Sequence, residues 1–116
     1  MRTTHVETAV AFARALVAGD FSRAHALLTP ELRPQLSPAL LRAELYGMFT
    51  GYADGDPTEV LFDEGGAMTE WPAKEPGDIG WAYVSIAGEN FVEGVAVIVA
   101  DVDGASLIRN VEWGRP

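Results

Sequence analysis

Apolar residues follow two different spacings along the chain. In residues 1–50 they recur every three to four positions, which predicts amphipathic helices. In residues 79–113 they form β-branched runs separated by short turn signals, which predicts strands. Helices followed by antiparallel strands are typical of an α+β fold in which the helices cover one face of the sheet. We therefore expect one domain, residues 1–116, with three N-terminal helices packed on a mainly antiparallel sheet of about five strands.

Cap signals place the three helices. The spacing Thr4-x-x-Glu7 is that of a capping box, and Asp20 follows the glycine that ends the first periodic segment. Ser37-Pro38 combines an N-cap residue with proline at the first helical position, so we expect the third helix over residues 38–50. All three helices therefore precede the predicted strands.

The centre of the predicted sheet is the uninterrupted apolar run over residues 95–100. Such a run indicates a strand that is covered on both faces. Asp103-Gly104 follows as a two-residue hairpin turn, because both positions tolerate positive φ. Counting back from this turn places Ile98 opposite Arg109.

Two further connections complete the predicted sheet. A three-residue turn over residues 88–90 leads into the central strand and places Val84 opposite Gly94. Residues 59–64 and 67–71 are expected to pair with each other as a separate hairpin around two glycines.

This register divides the side chains of the sheet between two faces. Small apolar residues, with Arg109 among them, fall on the face that we expect the helices to cover. The opposite face carries large aromatics beside polar groups, a mixture typical of an interface. Because three modest helices can cover only one face, we expect a homodimer in which a second copy covers the other. The residues expected at that interface are Trp81, Tyr83, Val95, Val97, Ile108 and Asn110.

The charge of the chain argues against several classes of partner. The net charge is −9, and residues 51–116 carry thirteen carboxylates against three basic residues. An acidic chain repels the phosphates of nucleic acids and the anionic surface of membranes, so neither is an expected partner. The chain has no cysteine, which excludes disulfides and thiol chemistry and fits a reducing cytoplasm. The first ten residues lack the apolar core of a secretory signal, so we expect a cytoplasmic protein.

The helical segment ETAVAFARALVAGDFSRAHALLTPELRPQLSPALLRAELYGMF, followed by strand-rich sequence ending in LIRNVEWGRP, resembles the nuclear-transport-factor-two-like, or cystatin-like, superfamily. The most similar part is the helical lead, in which a Gly-Asp pair ends the first helix and a proline-rich turn precedes the third. Within that superfamily the chain is most similar to bacterial single-domain members. The resemblance implies a strongly curved sheet that wraps the helices into a cone with an open-ended pocket. Members include polyketide cyclases, ketosteroid isomerases and dehydratases, and also non-enzymatic binding and dimerisation modules, so the resemblance assigns no activity.

The residues that we single out for ligand binding are Arg109, Tyr46, His25 and Asp63. A buried guanidinium must be paired, and for Arg109 the partner is either an internal carboxylate, such as Glu44 or Asp63, or an anionic ligand. His25 lies on the apolar stripe of the second helix, either bonded to a backbone carbonyl or acting as a general base.

No metal or cofactor is expected. The two histidines fall in different predicted helices, so they do not form a ligand pair. The pairs Asp54-x-Asp56 and Asp101-x-Asp103 lack the glycine and glutamate that complete a calcium loop.

These observations favour a non-catalytic module that binds a small apolar or anionic ligand or serves as a dimerising scaffold. One alternative is an isomerase, cyclase or hydratase with a pocket carboxylate as general acid–base and a hydroxyl donor for the oxyanion. The candidates for those roles are Asp63, Glu93, Tyr46, Tyr52 and Tyr83. Another alternative is a protein-interaction module whose acidic stretch, residues 54–78, meets a basic partner.

Overall fold

The computed structural model describes residues 4–49, 56–62 and 66–114. The helices are α1 (Thr4–Val17), α2 (Phe21–Ala26) and α3 (Pro38–Gly47), with a 3-10 turn over Arg33–Gln35. The strands are β1 (Glu59–Leu61), β2 (Ala67–Met68), β3 (Asp78–Ala87), β4 (Val92–Val102) and β5 (Ala105–Trp113). The predicted α+β class is confirmed, with three N-terminal helices on an antiparallel sheet of five strands.

The predicted cap residues begin the second and third helices. Asp20 Oδ1 accepts the backbone N–H of Arg23 at 3.2 Å, and Ser37 Oγ accepts that of Leu40 at 3.2 Å. Each bond satisfies a donor that the first turn of a helix leaves without an internal partner. α3 ends before residue 50, which lies outside the described residues.

Both short strands pair with β3. The order across the sheet is β1-β3-β4-β5, and β2 also pairs with β3. β1 pairs with residues 85–87 of β3, and β2 pairs with residues 81–82 on the same edge. The predicted hairpin between the segments that contain β1 and β2 is therefore wrong. β3 has ten residues, so one edge of it is long enough to pair with both short segments, and neither needs the other as a partner.

The turn between β3 and β4 is one residue longer than predicted. The backbone N–H of Gly88 donates to the carbonyl of Phe91 at 2.9 Å. Val84 consequently lies opposite Val95 instead of Gly94. Phe91 is buried beside Phe49, with ring centroids 4.4 Å apart, and this packing favours the longer turn.

The hairpin between β4 and β5 begins as predicted and then shifts. The two-residue turn at Asp103-Gly104 is confirmed, with φ of 51° and 87°. Further along, a β-bulge leaves Arg109 as an extra residue, so that Asn110 lies opposite Ile98. A shift of one residue moves the following side chains to the other face.

The face of the sheet under the helices forms the core. Phe12 and Leu16 of α1 and Leu41 and Leu45 of α3 are buried there. Their partners on the strands are Ala82, Val84, Ile86, Val95, Val97, Val99 and Ile108. The predicted interface positions of Val95, Val97 and Ile108 are therefore wrong, because these residues pack under the helices.

The opposite face has no helix among the described residues, and we call it the outer face. It carries Trp81 and Tyr83, which alternate with the buried residues of β3, and Asn110, which is exposed. Their predicted placement away from the helices is confirmed, while their role at an interface remains a prediction. In the described part of the chain no helix combines the length and the apolar character needed to span a membrane.

Candidate functional site

Large apolar side chains are exposed mainly on the outer face. The pairing of the strands places Leu61, Met68 and Val92 on this face. Their side chains are 48%, 48% and 43% exposed. Within the described residues, Leu40 on α3 is the one other large apolar side chain with comparable exposure, at 47%.

Two aromatic rings occupy the middle of the outer face. Trp81 and Tyr83 are stacked, with ring centroids 6.3 Å apart and an interplanar angle of 22°. The Tyr83 ring lies so close to Gly94 that a Cβ there would have no room. Ile98 and Ala96, which lie opposite these two aromatics on β4, are buried. The predicted burial of the central strand on both faces is confirmed. The single chain supplies this cover, since residues 95–100 are at most 7% exposed, so the expectation that a second copy is needed to cover them is wrong.

An ion pair fixes one end of the outer face. Arg109 Nε donates to Asp78 Oδ1 and Arg109 Nη2 donates to Asp78 Oδ2, both at 2.7 Å. Arg109 Nη1 also donates to Glu75 Oε2 at 3.0 Å. The predicted position of Arg109 under the helices is wrong, because the β-bulge turns its side chain towards Asp78. Arg109 therefore pairs with carboxylates of the chain itself, which is one of the two predicted alternatives, but the partners are Asp78 and Glu75 and not Glu44.

Burial and pairing have opposite effects on the titration of this site. Burial alone raises the pKa of the Asp78 carboxyl, but the hydrogen bonds from Arg109 and from the Glu75 backbone outweigh it. The pKa of Asp78 therefore lies below its ordinary value. The hydrogen bond with Asp78 also raises the pKa of Arg109, against the effect of burial. Both groups consequently remain charged near neutral pH.

The other predicted ligand residues have partners within the chain. His25 Nε2 lies 3.0 Å from the carbonyl oxygen of Arg33, which is the backbone-bonded alternative. Tyr46 Oη donates to Asp56 Oδ1 at 3.2 Å. Burial and the charge of Asp56 raise the pKa of Tyr46.

These predicted residues do not form one site. Arg109 lies on the outer face, whereas His25 and Tyr46 belong to α2 and α3. Asp63 lies outside the described residues. No group of three or more His, Asp or Glu side chains in the described ranges is arranged to hold a metal ion.

An open groove of about 450 Å³ lies between α3 and the sheet. Glu93 is opposite Ile86, which places its side chain on the helix-facing side, and Trp113 is opposite Val95 on that same side. The Trp113 ring contacts the Phe12 ring, with centroids 6.2 Å apart. The described residues that line the groove are Ala43, Glu44, Gly47, Met48, Glu93, Trp113 and Gly114.

Sequence reasoning missed the groove for a specific reason. The assumed register placed Glu93 on the outer face, away from Trp113. The helical half was visible in the sequence, because residues 43, 44, 47 and 48 recur at the spacing of one side of a helix.

Comparisons with known protein families, with curated proteins and with solved structures found no match for this chain. The outer face is accordingly the feature from which a function is inferred.

Proposed function

We propose that the protein is a non-catalytic dimerisation module, in which two copies pair through the outer faces of their sheets. The observation that carries this proposal is the exposure of Met68 opposite Trp81 and of Leu61 near Tyr83, where the two rings stack. Val92 adds a third exposed apolar side chain at the far end of the same face. Monomeric soluble proteins rarely expose an apolar patch of this kind, and aromatic residues and methionine are enriched in interface cores.

The outer face is large enough for a stable dimer. β3 has 10 residues and β4 has 11. At about 3.3 Å per residue and about 4.8 Å between strands, the 35 residues of the five strands cover about 550 Å². Two copies would therefore bury about 1,100 Å² together, just above the ~1,000 Å² expected of a specific interface.

The charged side chains of the outer face lie at positions where they do not oppose the pairing of two copies. Two copies with a net charge of −9 repel each other, so the centre of a shared interface has to be free of unpaired charge. The central aromatics are uncharged, and Asp78 is paired with Arg109. The exposed carboxylates Glu59 and Glu112 belong to the edge strands β1 and β5, where water solvates them at a polar rim.

The alternatives have less support. An enzyme would need its acid–base groups in one pocket, but the candidates Glu93 and Tyr83 lie on opposite faces of the sheet. The candidate Tyr46 is hydrogen-bonded to Asp56. Within the acidic stretch of residues 54–78, Glu75 pairs with Arg109 and Glu70 pairs with Lys74. These two carboxylates are therefore less available to a basic partner protein. Membership of the nuclear-transport-factor-two-like superfamily is part of this proposal. It is supported by the order of three helices and an antiparallel sheet.

A matched pair of charged variants tests the dimer. Met68→Glu places a carboxylate directly opposite Trp81 in the proposed interface, and Leu40→Glu places one on α3 at a position with almost the same exposure. An unpaired charge buried in an interface costs about 3 kcal/mol, so Met68→Glu should raise the dimer Kd roughly 100-fold. Sedimentation velocity should show a monomer for Met68→Glu and a dimer for Leu40→Glu, with both folded by circular dichroism. Equal masses for the two variants would contradict the proposed interface.

A further inference from the structure

We infer that His5 makes the first turn of α1 a pH-sensitive switch, in which the neutral imidazole holds this turn on β3 and the protonated imidazole releases it. His5 lies in the first turn of α1 and is 4% exposed. It belongs to the helix-facing side of the sheet, so this inference does not depend on pairing through the outer faces.

The imidazole of His5 holds the turn through a contact with β3. A Cβ on Gly80 would overlap the His5 ring, so the ring lies directly on the backbone of the strand. The next two residues of the turn, Val6 and Glu7, are half-buried and exposed. Within residues 5–7, His5 is therefore the one buried side chain, and the turn loses its main contact with the sheet when the ring leaves.

The surroundings of the imidazole disfavour a positive charge. His5 Nε2 is buried and has no hydrogen-bond partner. Protonation places a hydrogen on both ring nitrogens, so Nε2 would become a buried donor without an acceptor. The N-terminal end of a helix also carries roughly half a positive charge, which repels a cation. Burial lowers the pKa of His5, and no charge among the described residues contributes to that pKa.

The charged groups of β3 and α1 do not face the ring. Asp78 is paired with Arg109 on the outer face, so the sheet separates it from His5. Glu7 is exposed and lies two positions from His5, a spacing at which helical side chains point to different sides. Arg14 is exposed at the other end of α1.

On the other elements that pack on α1, the charged groups are exposed, distant or bonded elsewhere. β4 carries two carboxylates on its helix-facing side: Asp101, which is exposed near the end of the strand, and Glu93, about 20 Å from the position opposite Gly80. The charged or titratable groups of α2, α3 and β1, and the cap of α2, are exposed or hydrogen-bonded within the chain: Asp20, Arg23, His25, Arg42, Glu44 and Glu59. The charge of a protonated His5 is therefore stabilised by water, outside the site.

The first turn can open without unfolding of the rest of the chain. By the hydrogen-bond pattern of an α-helix, the carbonyls of residues 4–7 accept the amides of residues 8–11, so opening breaks only the bonds of this turn. Helix ends open at a lower free energy than the core of a domain. In water the imidazole has its ordinary pKa of 6.5. Because the pKa is lower in the closed state, the turn is held above pH 6.5 and is released increasingly as the pH falls below it.

Hydrogen exchange of the backbone amides, measured by NMR and corrected for intrinsic exchange rates, tests this switch. From about pH 7.5 to about pH 5.5, the opening constant for the amides of residues 8–11 should rise about three- to tenfold. Tenfold is the limit, because the lower pH is about one unit below the ordinary pKa of 6.5. Addition of about 0.5 M urea should change this constant little, but it should clearly increase the exchange of β4 amides, which open with the whole domain.

Three variants separate the role of His5 from other effects of pH. His5→Leu keeps an apolar side chain over Gly80 and His5→Gln keeps a polar one, so a packing defect in either appears as a difference between them. Neither variant titrates, and neither should show the rise for residues 8–11. His25→Gln removes the other histidine and should leave the rise unchanged. A rise below about twofold, the same rise in His5→Leu, or equal urea dependence for residues 8–11 and for β4 would each overturn the inference.

Discussion

Arg109→Leu is expected to destabilise the protein strongly, because the carboxylate that the guanidinium pairs with is fully buried. The Asp78 side chain has 0% exposure, and Arg109 has 25%. The substitution removes two 2.7 Å hydrogen bonds and leaves Asp78 with the bond of 2.8 Å from the Glu75 backbone N–H. Removing one partner of a buried pair costs about 3–5 kcal/mol. Since Arg109 is partly exposed, water enters more easily at this site, and we expect about 2–3 kcal/mol.

Urea unfolding at neutral pH, followed by tryptophan fluorescence at fixed protein concentration, measures this loss. The double variant Arg109→Leu/Asp78→Leu should recover most of the lost stability, because the one carboxylate that still loses its partner, Glu75, is exposed to water and no buried charge remains unpaired. The effect also has a defined pH dependence. Since the pKa of Asp78 is lowered in the folded state, the stabilisation is present above the ordinary value of 3.8 and is lost as the pH falls below it. A loss below about 1 kcal/mol at neutral pH would show that Asp78 reaches water and would refute the reasoning.

Two further predictions concern the packing of β3. Gly80→Ala should destabilise by about 1–3 kcal/mol, because a Cβ there would overlap the buried ring of His5 on α1, whereas Gly94→Ala should cost less, since it meets the movable end of Tyr83. Equal losses in urea unfolding would contradict this contrast. Burial lowers the pKa of His5, so the unfolded chain takes up a proton more readily, and stability should fall as the pH drops below the ordinary value of 6.5. His5→Gln should remove that pH dependence, and parallel pH profiles for the two proteins would contradict it.

The sequence predicted the elements better than their pairing. The caps Asp20 and Ser37 and the turn at Asp103-Gly104 are local signals, in which a side chain or a backbone conformation acts within a few residues, and all three are confirmed. The order of helices and strands follows from the same kind of signal. The fold class could therefore be predicted from the sequence.

The register could not be predicted, because distant contacts determine it. The longer turn before β4 depends on the packing of Phe91 against Phe49, and the β-bulge in β5 accompanies the pairing of Arg109 with Asp78, 31 residues away. Neither contact is signalled by local spacing. Each shifts a strand by one residue, which exchanges the faces of the residues beyond it.

The candidate sites depended directly on that register. The shifted β4 places Val95 and Val97 under the helices and brings Glu93 to the same face as Trp113. The outer face keeps Trp81 and Tyr83, because the alternation within β3 is read from β3 alone. The expected interface therefore retained its aromatic centre, while the groove was not foreseen.

The mass of the unmodified protein in solution tests the dimer most directly. A single chain has a mass of 12.4 kDa. Sedimentation velocity on untagged protein, from about 1 μM to about 100 μM, should give a species of twice that mass over the upper part of the range, since interfaces of this size reach micromolar affinity or better. A mass of 12.4 kDa at every concentration would contradict pairing through the outer face. It would mean that the stacked aromatics of β3 are the complete cover of that side of the sheet.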